Sequence, residues 1–458
     1  MSRPLWDHQR QAIDFALSRS ATMFHMGLGT GKSRCAIEVA KRIGAKRVLI
    51  LCPLSVCDAW LDQLAQFGSG LHPIILGRGS VKRKTDGAKS ASKKAESIGR
   101  SYVCVVNYES ARNKPLAGWL AAQSFDLLVL DESHRIKAHD GETSRWVARL
   151  SKTCSKRLAL TGTPMPHSPL DIFAQARSLE PGLFGASYYR FRNRYAVMGG
   201  YLGKEVKDYK NKIELREKIS RITYQADRSV LDLPEAIHAT RYVDLSPKAA
   251  RMYADLDRDF VAAVQEGEVT AANALVKLLR LQQLTSGRVK VESMRHGPMT
   301  VQVDNSKQKA LEDILQDLPA DEPVVVFGRF RGDISATHMA AKKTGRRSLE
   351  LSGQRKELSR WQRGEAPVLA VQIQSGGTGI DLTRAAYCVY LSTGFSLGDF
   401  EQSLARVHRP GQKRTVFYYY IVANNTVDLK VSRALRDRKK VVESVLADIK
   451  LLTKEIKL

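Results

Sequence analysis

The run Met26-Gly27-Leu28-Gly29-Thr30-Gly31-Lys32-Ser33 constrains this chain more than any other feature. It follows the apolar stretch Ala21 to Phe24 and opens a helical pattern carrying Ala36, Ile37, Val39 and Ala40. The pattern predicts a strand, a glycine-rich turn and a helix. In that setting backbone N–H groups converge on phosphates, a lysine reaches the β and γ phosphates of ATP, and a hydroxyl ligates Mg2+. Gly27, Leu28, Gly29, Thr30, Gly31, Lys32 and Ser33 are therefore candidate ATP-binding residues, with Ser33 also a candidate Mg2+ ligand. Met26 stands where the strict pattern has glycine, and a glycine-rich turn can also precede an ordinary helix. The rest of the chain decides.

Short β-rich apolar runs recur between helical stretches. In the first half they are Arg47 to Cys52, Tyr102 to Val106, Phe125 to Leu130 and Arg157 to Leu160. In the second half they are Pro323 to Phe327, Ser348 to Leu351, Pro367 to Ile373, Tyr387 to Leu391 and Thr415 to Val422. Continuous apolar strands alternating with helices imply parallel sheets covered on both faces. The alternation occurs twice, so two α/β lobes are expected, over residues 1–235 and 236–458. Within the second, a helical lead-in spans about 245–290, a core about 306–425 and a helical tail about 427–458.

The 458 residues carry 73 Lys and Arg against 47 Asp and Glu, a formal net charge of +26. An excess of this size favours a polyanionic partner, nucleic acid above all. The segment Arg78 to Lys94 concentrates seven basic residues and one acidic residue. Charge runs usually face water, so it reads as a solvated excursion, with a phosphate-backbone contact as the alternative. No apolar run has the length of a membrane span and the N-terminus lacks a signal-peptide pattern, which implies a soluble intracellular chain. The six scattered cysteines form no CxxC pair and suggest neither zinc nor a disulfide framework.

Asp131-Glu132-Ser133-His134 follows the apolar run Leu127 to Leu130. Two carboxylates at a strand end beside a triphosphate loop have a division of labour: Asp131 holds Mg2+ and Glu132 polarises the attacking water. Leu160-Thr161-Gly162-Thr163-Pro164 ends another strand and suits a coupling element. In the second half, Gln402, Arg406 and Arg409 fall within one helical pattern, and two arginines three apart share a helix face. They are candidate arginine fingers for the γ phosphate.

The ordered set Gln9, Gly29-Thr30-Gly31-Lys32-Ser33, Asp131 to His134, Thr161 to Pro164, Gly376-Gly377-Thr378-Gly379 and Gln402…Arg406…Arg409…Gly411-Gln412 resembles superfamily 2 helicases. Arg406-Val407-His408-Arg409-Pro410-Gly411-Gln412, with Leu233-Pro234 and Ser306-Lys307, narrows the resemblance to Swi/Snf-type double-stranded-DNA translocases. The likeness spans Asp7 to Asp428. It implies two tandem RecA-like lobes, with helical additions between them and at the C-terminus. It also implies that Gln9 reads adenine, that Gly379 belongs to the ATP site, and that Pro53, Thr161, Gly162, Arg329, Gly376, Gly377 and Thr378 contact DNA. The chain departs from the family at Ile222 to Arg228, where paired arginines are usual, and at Leu391 to Ser396. A monomeric motor is expected, acting in the cytoplasm of a bacterial or phage-infected cell, or in the nucleus of a eukaryote. A strand-separating DNA or RNA helicase and a basic nucleic-acid-binding protein without ATPase activity are the alternatives.

Overall fold

The computed structural model describes residues 4–77, 79–166, 168–200, 205–265, 271–293, 297–374 and 380–437. The chain divides into two compact units, Met1–Asp232 and Leu233–Leu458. Among the described residues no helix is long and apolar enough to cross a membrane.

The first unit contains β1 (Ala21–Met26), β2 (Arg47–Cys52), β3 (Leu71–Leu76), β4 (Ser101–Asn107), β5 (Leu127–Asp131), β6 (Lys156–Thr161), the antiparallel hairpin β7 (Ala196–Gly199) and β8 (Glu205–Tyr209), and β9 (Thr223–Ala226). Seven of these form one sheet in the order β3-β4-β2-β5-β6-β1-β9. Every pairing in it is parallel. Both faces are covered, which is why the central strands are apolar at consecutive positions. Leu49, Leu51, Cys104, Val106, Leu128 and Leu130 fill the core on one face. Their neighbours Val48, Ile50, Val103, Val105, Leu127 and Val129 fill the other.

The second unit repeats the plan. Its strands are β10 (Ala236–Val243), the antiparallel hairpin β11 (Arg288–Ser293) and β12 (Gly297–Gln302), β13 (Val324–Gly328), β14 (Ser348–Leu351), β15 (Val368–Gln372), β16 (Tyr387–Tyr390) and β17 (Val416–Ala423). Six make a parallel sheet in the order β10-β17-β16-β13-β15-β14. Val325 and Phe327 face a core shared with the helices Pro247–Gln265, Ala271–Thr285 and Val427–Arg436, through Tyr253, Leu278, Leu281 and Val431. Val324 and Val326 face the other core, with Leu311 and Ile314 of the helix Ser306–Gln316. Two parallel sheets flanked by helices are the tandem RecA-like arrangement. Of the expected helical tail, residues 438–458 lie outside the described residues.

One expectation is corrected. The basic segment is not an excursion: Ser80 caps a helix from Val81 to Ser97. Thr85, Ala88, Ser92 and Ala95, spaced three or four apart, are all buried. Small side chains let this helix lie close against the sheet, and its charges other than that of buried Lys84 point outward.

Candidate active site

Strands β5, β6 and β1 lie side by side, with Asp131 opposite Leu160 and His25 opposite Thr161. Their carboxyl ends bring Asp131-Glu132, Thr161-Gly162 and the Gly27–Lys32 loop to one sheet edge, the edge where open parallel sheets bind ligands.

Gly29 and Gly31 have φ of 85° and 89°, a left-handed backbone that favours glycine. A Cβ at Gly31 would also collide with Gln9 Nε2. The helix then begins at Lys32. Lys32 Nζ donates to the carbonyls of Met26 (2.8 Å) and Gly27 (3.1 Å) at the loop. Gln9 is buried; its Nε2 donates to Thr30 O (3.0 Å) and its Oε1 accepts from Trp6 N (3.1 Å). Gln9 thereby braces the loop.

Asp131 is buried. Its Oδ2 accepts from Trp60 Nε1 (2.9 Å) and its Oδ1 from Glu132 N (3.0 Å). Burial first, and the neighbouring Glu132 second, push its carboxyl up to about 7, against the opposing pull of Trp60 and Lys32. A buried carboxyl raised in this way is relieved by a cation, and with the Ser33 hydroxyl it supplies the hard oxygen donors that Mg2+ prefers. The residues fit the metal.

Glu132 has φ of 50°. This left-handed conformation costs a non-glycine residue on the order of 1 kcal/mol or more and is typical of functional positions. His134 Nδ1 lies 3.3 Å from Glu132 Oε2 and 3.5 Å from Thr161 Oγ1, so it stands between the carboxylate and the third strand end. Ser133 Oγ donates to Gln175 Oε1 (2.8 Å), and Gln175 Nε2 donates to Pro164 O (2.6 Å). Gln175, fully buried on the helix Ile172–Leu179, thus ties the carboxylate motif to the Thr161–Pro164 turn.

Trp60 and Gln175 were not among the candidates from sequence. Gln175 left a signal: it is the lone polar residue in Ile172-Phe173-Ala174-Gln175-Ala176. Pro53 lies between β2 and a short 3-10 turn, Leu54–Val56, at the same carboxyl edge.

In the second unit, Arg329 follows β13. Its backbone N–H donates to Ser392 Oγ (2.8 Å) and its guanidinium lies 4.3 Å from the Phe395 ring centroid. Gln402 and Arg406 lie on the helix Leu397–Val407. Arg409 does not, which corrects the shared-face reading. Pro410 disfavours helical backbone at the preceding residue, so the helix ends before Arg409. Arg409 Nη1 instead donates to Ile380 O (3.2 Å). Gln412 is buried and fastens the turn, its Nε2 donating to Ala385 O (2.8 Å) and its Oε1 accepting from Lys413 N and Arg414 N (both 3.0 Å). Gly376, Gly377, Thr378 and Gly379 lie outside the described residues.

Residues 13–288 match the SNF2-related domain and residues 306–411 the helicase conserved C-terminal domain. The chain is similar to protein p41 of Acyrthosiphon pisum secondary endosymbiont phage 1, at 24% identity over 96% of this chain and 97% of that protein. It is similar to a Caenorhabditis elegans homolog of SWI/SNF-related matrix-associated actin-dependent regulator of chromatin subfamily A-like protein 1, at 27% identity over 93% and 59% of the two chains. It also resembles the DNA annealing helicase and endonuclease ZRANB3 of Mus musculus, at 25% identity over 96% and 40%. The chain thus spans nearly all of the phage protein but only 59% and 40% of the two animal relatives.

Proposed function

The chain belongs to the SNF2-related family of ATP-dependent helicases, and from that premise we propose that it is a DNA-stimulated ATP hydrolase that moves along double-stranded DNA. The observation that carries the reading is the convergence of Lys32, Asp131 and Glu132 on one sheet edge, with Gln175 joining Ser133 there to Pro164.

ATP lies with its phosphates along the Gly27–Gly31 backbone and its adenine beside Gln9. Lys32 turns from the loop carbonyls to the β and γ phosphates. Ser33 and Asp131 would hold Mg2+, which would offset phosphate charge. Glu132 orients the attacking water and accepts its proton, and His134 beside it fixes the carboxylate's direction. Gln402, Arg406 and Arg409 act on the γ phosphate as charge develops, where an arginine finger contributes about 10³-fold or more in rate. The loops that carry Pro53, Thr161 and Gly162, with those at Arg329 and Gly376 to Thr378, grip the DNA backbone. Because Thr161-Gly162 and Pro164 share a turn, the Gln175 link gives the carboxylates a direct path to the DNA side. The mouse relative's name, a DNA annealing helicase, supports DNA as the partner. Such a monomeric motor works where DNA is kept, in the cytoplasm of a bacterial or phage-infected cell or in the nucleus of a eukaryote.

The test is steady-state ATP hydrolysis at fixed salt with no nucleic acid, single-stranded DNA, blunt duplex DNA or RNA. Strong stimulation by blunt duplex is expected. Stimulation by single strands or RNA alone replaces this reading with a strand-separating helicase, and hydrolysis under no condition leaves a binding protein.

A further inference from the structure

The basic helix Val81–Ser97 is not accounted for by ATP chemistry. It follows the edge strand β3, beginning at the carboxyl edge of the sheet that carries Asp131 and the phosphate loop, and packs on β3 and β4. Its inner face is locked. Buried Lys84 donates from Nζ to Asn107 Oδ1 (3.1 Å) and Ser110 Oγ (2.8 Å). Its outer face exposes Lys82, Arg83, Lys89, Lys93 and Lys94.

Among the described residues, no carboxylate pairs with any of these five cations. The helix's own acids do not neutralise them: Glu96 pairs with Arg47 (3.1 Å), leaving Asp86 alone against five. Lys89 and Lys93 are four apart, a like-charge spacing that disfavours the helix. Between the cations stand Gly87 and Ser90, both exposed, and Gly87 has open space around its Cα. A mid-helix glycine disfavours the helix relative to alanine. The outer face is thus a stretch of unmatched positive charge with no bulky side chain to hold a partner away. At about 1.5 Å per residue the helix is about 25 Å long, the length of about seven phosphate steps along one strand.

We propose that the outer face of this helix is a second contact surface for the phosphate backbone of duplex DNA. The inference rests on the reading of the chain as a DNA-dependent motor, and adds a contact outside the loops named above. A duplex seated there carries the charge these cations lack, and a contact on one unit alone keeps the motor attached while the ATP site cycles.

The test uses the full chain with Lys82→Gln, Lys89→Gln, Lys93→Gln and Lys94→Gln combined. A control with the same charge change combines Lys210→Gln, Lys212→Gln, Arg216→Gln and Arg221→Gln. Affinity for blunt duplex is measured by fluorescence anisotropy between about 50 and 200 mM salt, where each phosphate contact contributes about 0.9 to the slope of log K against log salt. DNA-free and duplex-stimulated hydrolysis are measured alongside. The helix variant is expected to lower the slope by about 2 or more, through loss of at least two contacts. It is also expected to bind at least about fivefold more weakly, with DNA-free hydrolysis unchanged and the control near wild type. A wild-type slope in the helix variant overturns the proposal, as does an equal loss in the control, which would make the effect one of net charge. If the helix variant lowers the slope as expected but duplex does not stimulate hydrolysis by the wild type, the motor reading fails and the surface stands. If the wild type binds no DNA, both fall.

Discussion

Replacing Trp60 with Phe separates the chemistry of Asp131 from its packing. Trp60 is fully buried, and its Nε1 is 2.9 Å from Asp131 Oδ2. Phe keeps most of the aromatic volume and removes the donor. A hydrogen bond to a charged group contributes about 1.5–3 kcal/mol, and one pH unit corresponds to about 1.4 kcal/mol. The lost donor stabilised the ionised form, so the acid limb of the pH–rate profile moves up by about one to two pH units. The proposed role of Asp131 puts the wild-type limb at its raised carboxyl, near 7. The assay is kcat/KM for ATP across pH at saturating duplex, because that ratio reports the free enzyme. Hydrolysis by Trp60→Phe should be at least about fivefold below wild type near neutral pH and converge with it at high pH. A uniform loss at every pH would make Trp60 a packing residue, and an unmoved acid limb would refute its action on Asp131.

The other predictions concern the same network. Glu132→Gln should abolish turnover and leave ATP binding intact, read by nucleotide affinity beside hydrolysis; near-normal hydrolysis removes Glu132 from its role. Arg409→Ala should lower kcat by about 10³-fold with little change in KM, whereas a rise in KM alone makes it a ground-state binder. Gln175→Leu should keep DNA-free hydrolysis but lose most duplex stimulation, since it cuts the Ser133–Pro164 link; retained stimulation counts against that path. Asp131→Asn should raise the metal-free melting temperature. The folded carboxyl titrates near 7, above its ordinary 3.8, so the folded state binds the extra proton and the native protein loses stability as pH rises through that window. The gain from Asn must therefore be larger at pH 8 than at pH 5, and an equal gain at both contradicts the raised value.

The central strands were legible because burial on both faces leaves an uninterrupted apolar run, as in Arg47–Cys52 and Val324–Gly328. Strands β3, β9 and β10 were not, because they lie at sheet edges and are only partly covered. Pro73 is tolerated in β3 for the same reason. The helix Val81–Ser97 was hidden because its inner face is built from Thr, Ala and Ser, which give no hydrophobic period. Lys32, Asp131 and Glu132 were legible because each lies in a contiguous motif whose spacing carries the chemistry. Trp60 and Gln175 act across 71 and 42 residues of chain, a pairing that only the fold creates. Arg406 and Arg409 were placed on one helix by spacing alone, and Pro410 breaks that register.

The central claim is that hydrolysis at Lys32, Asp131 and Glu132 drives movement along intact duplex DNA. The most direct measurement is displacement of a third strand from a blunt duplex, with Glu132→Gln as the control. The account predicts ATP-dependent release of the third strand by the wild type, none by Glu132→Gln, and a duplex that stays paired. Duplex-stimulated hydrolysis with no release of the third strand, or release only with separation of the duplex strands, would contradict it.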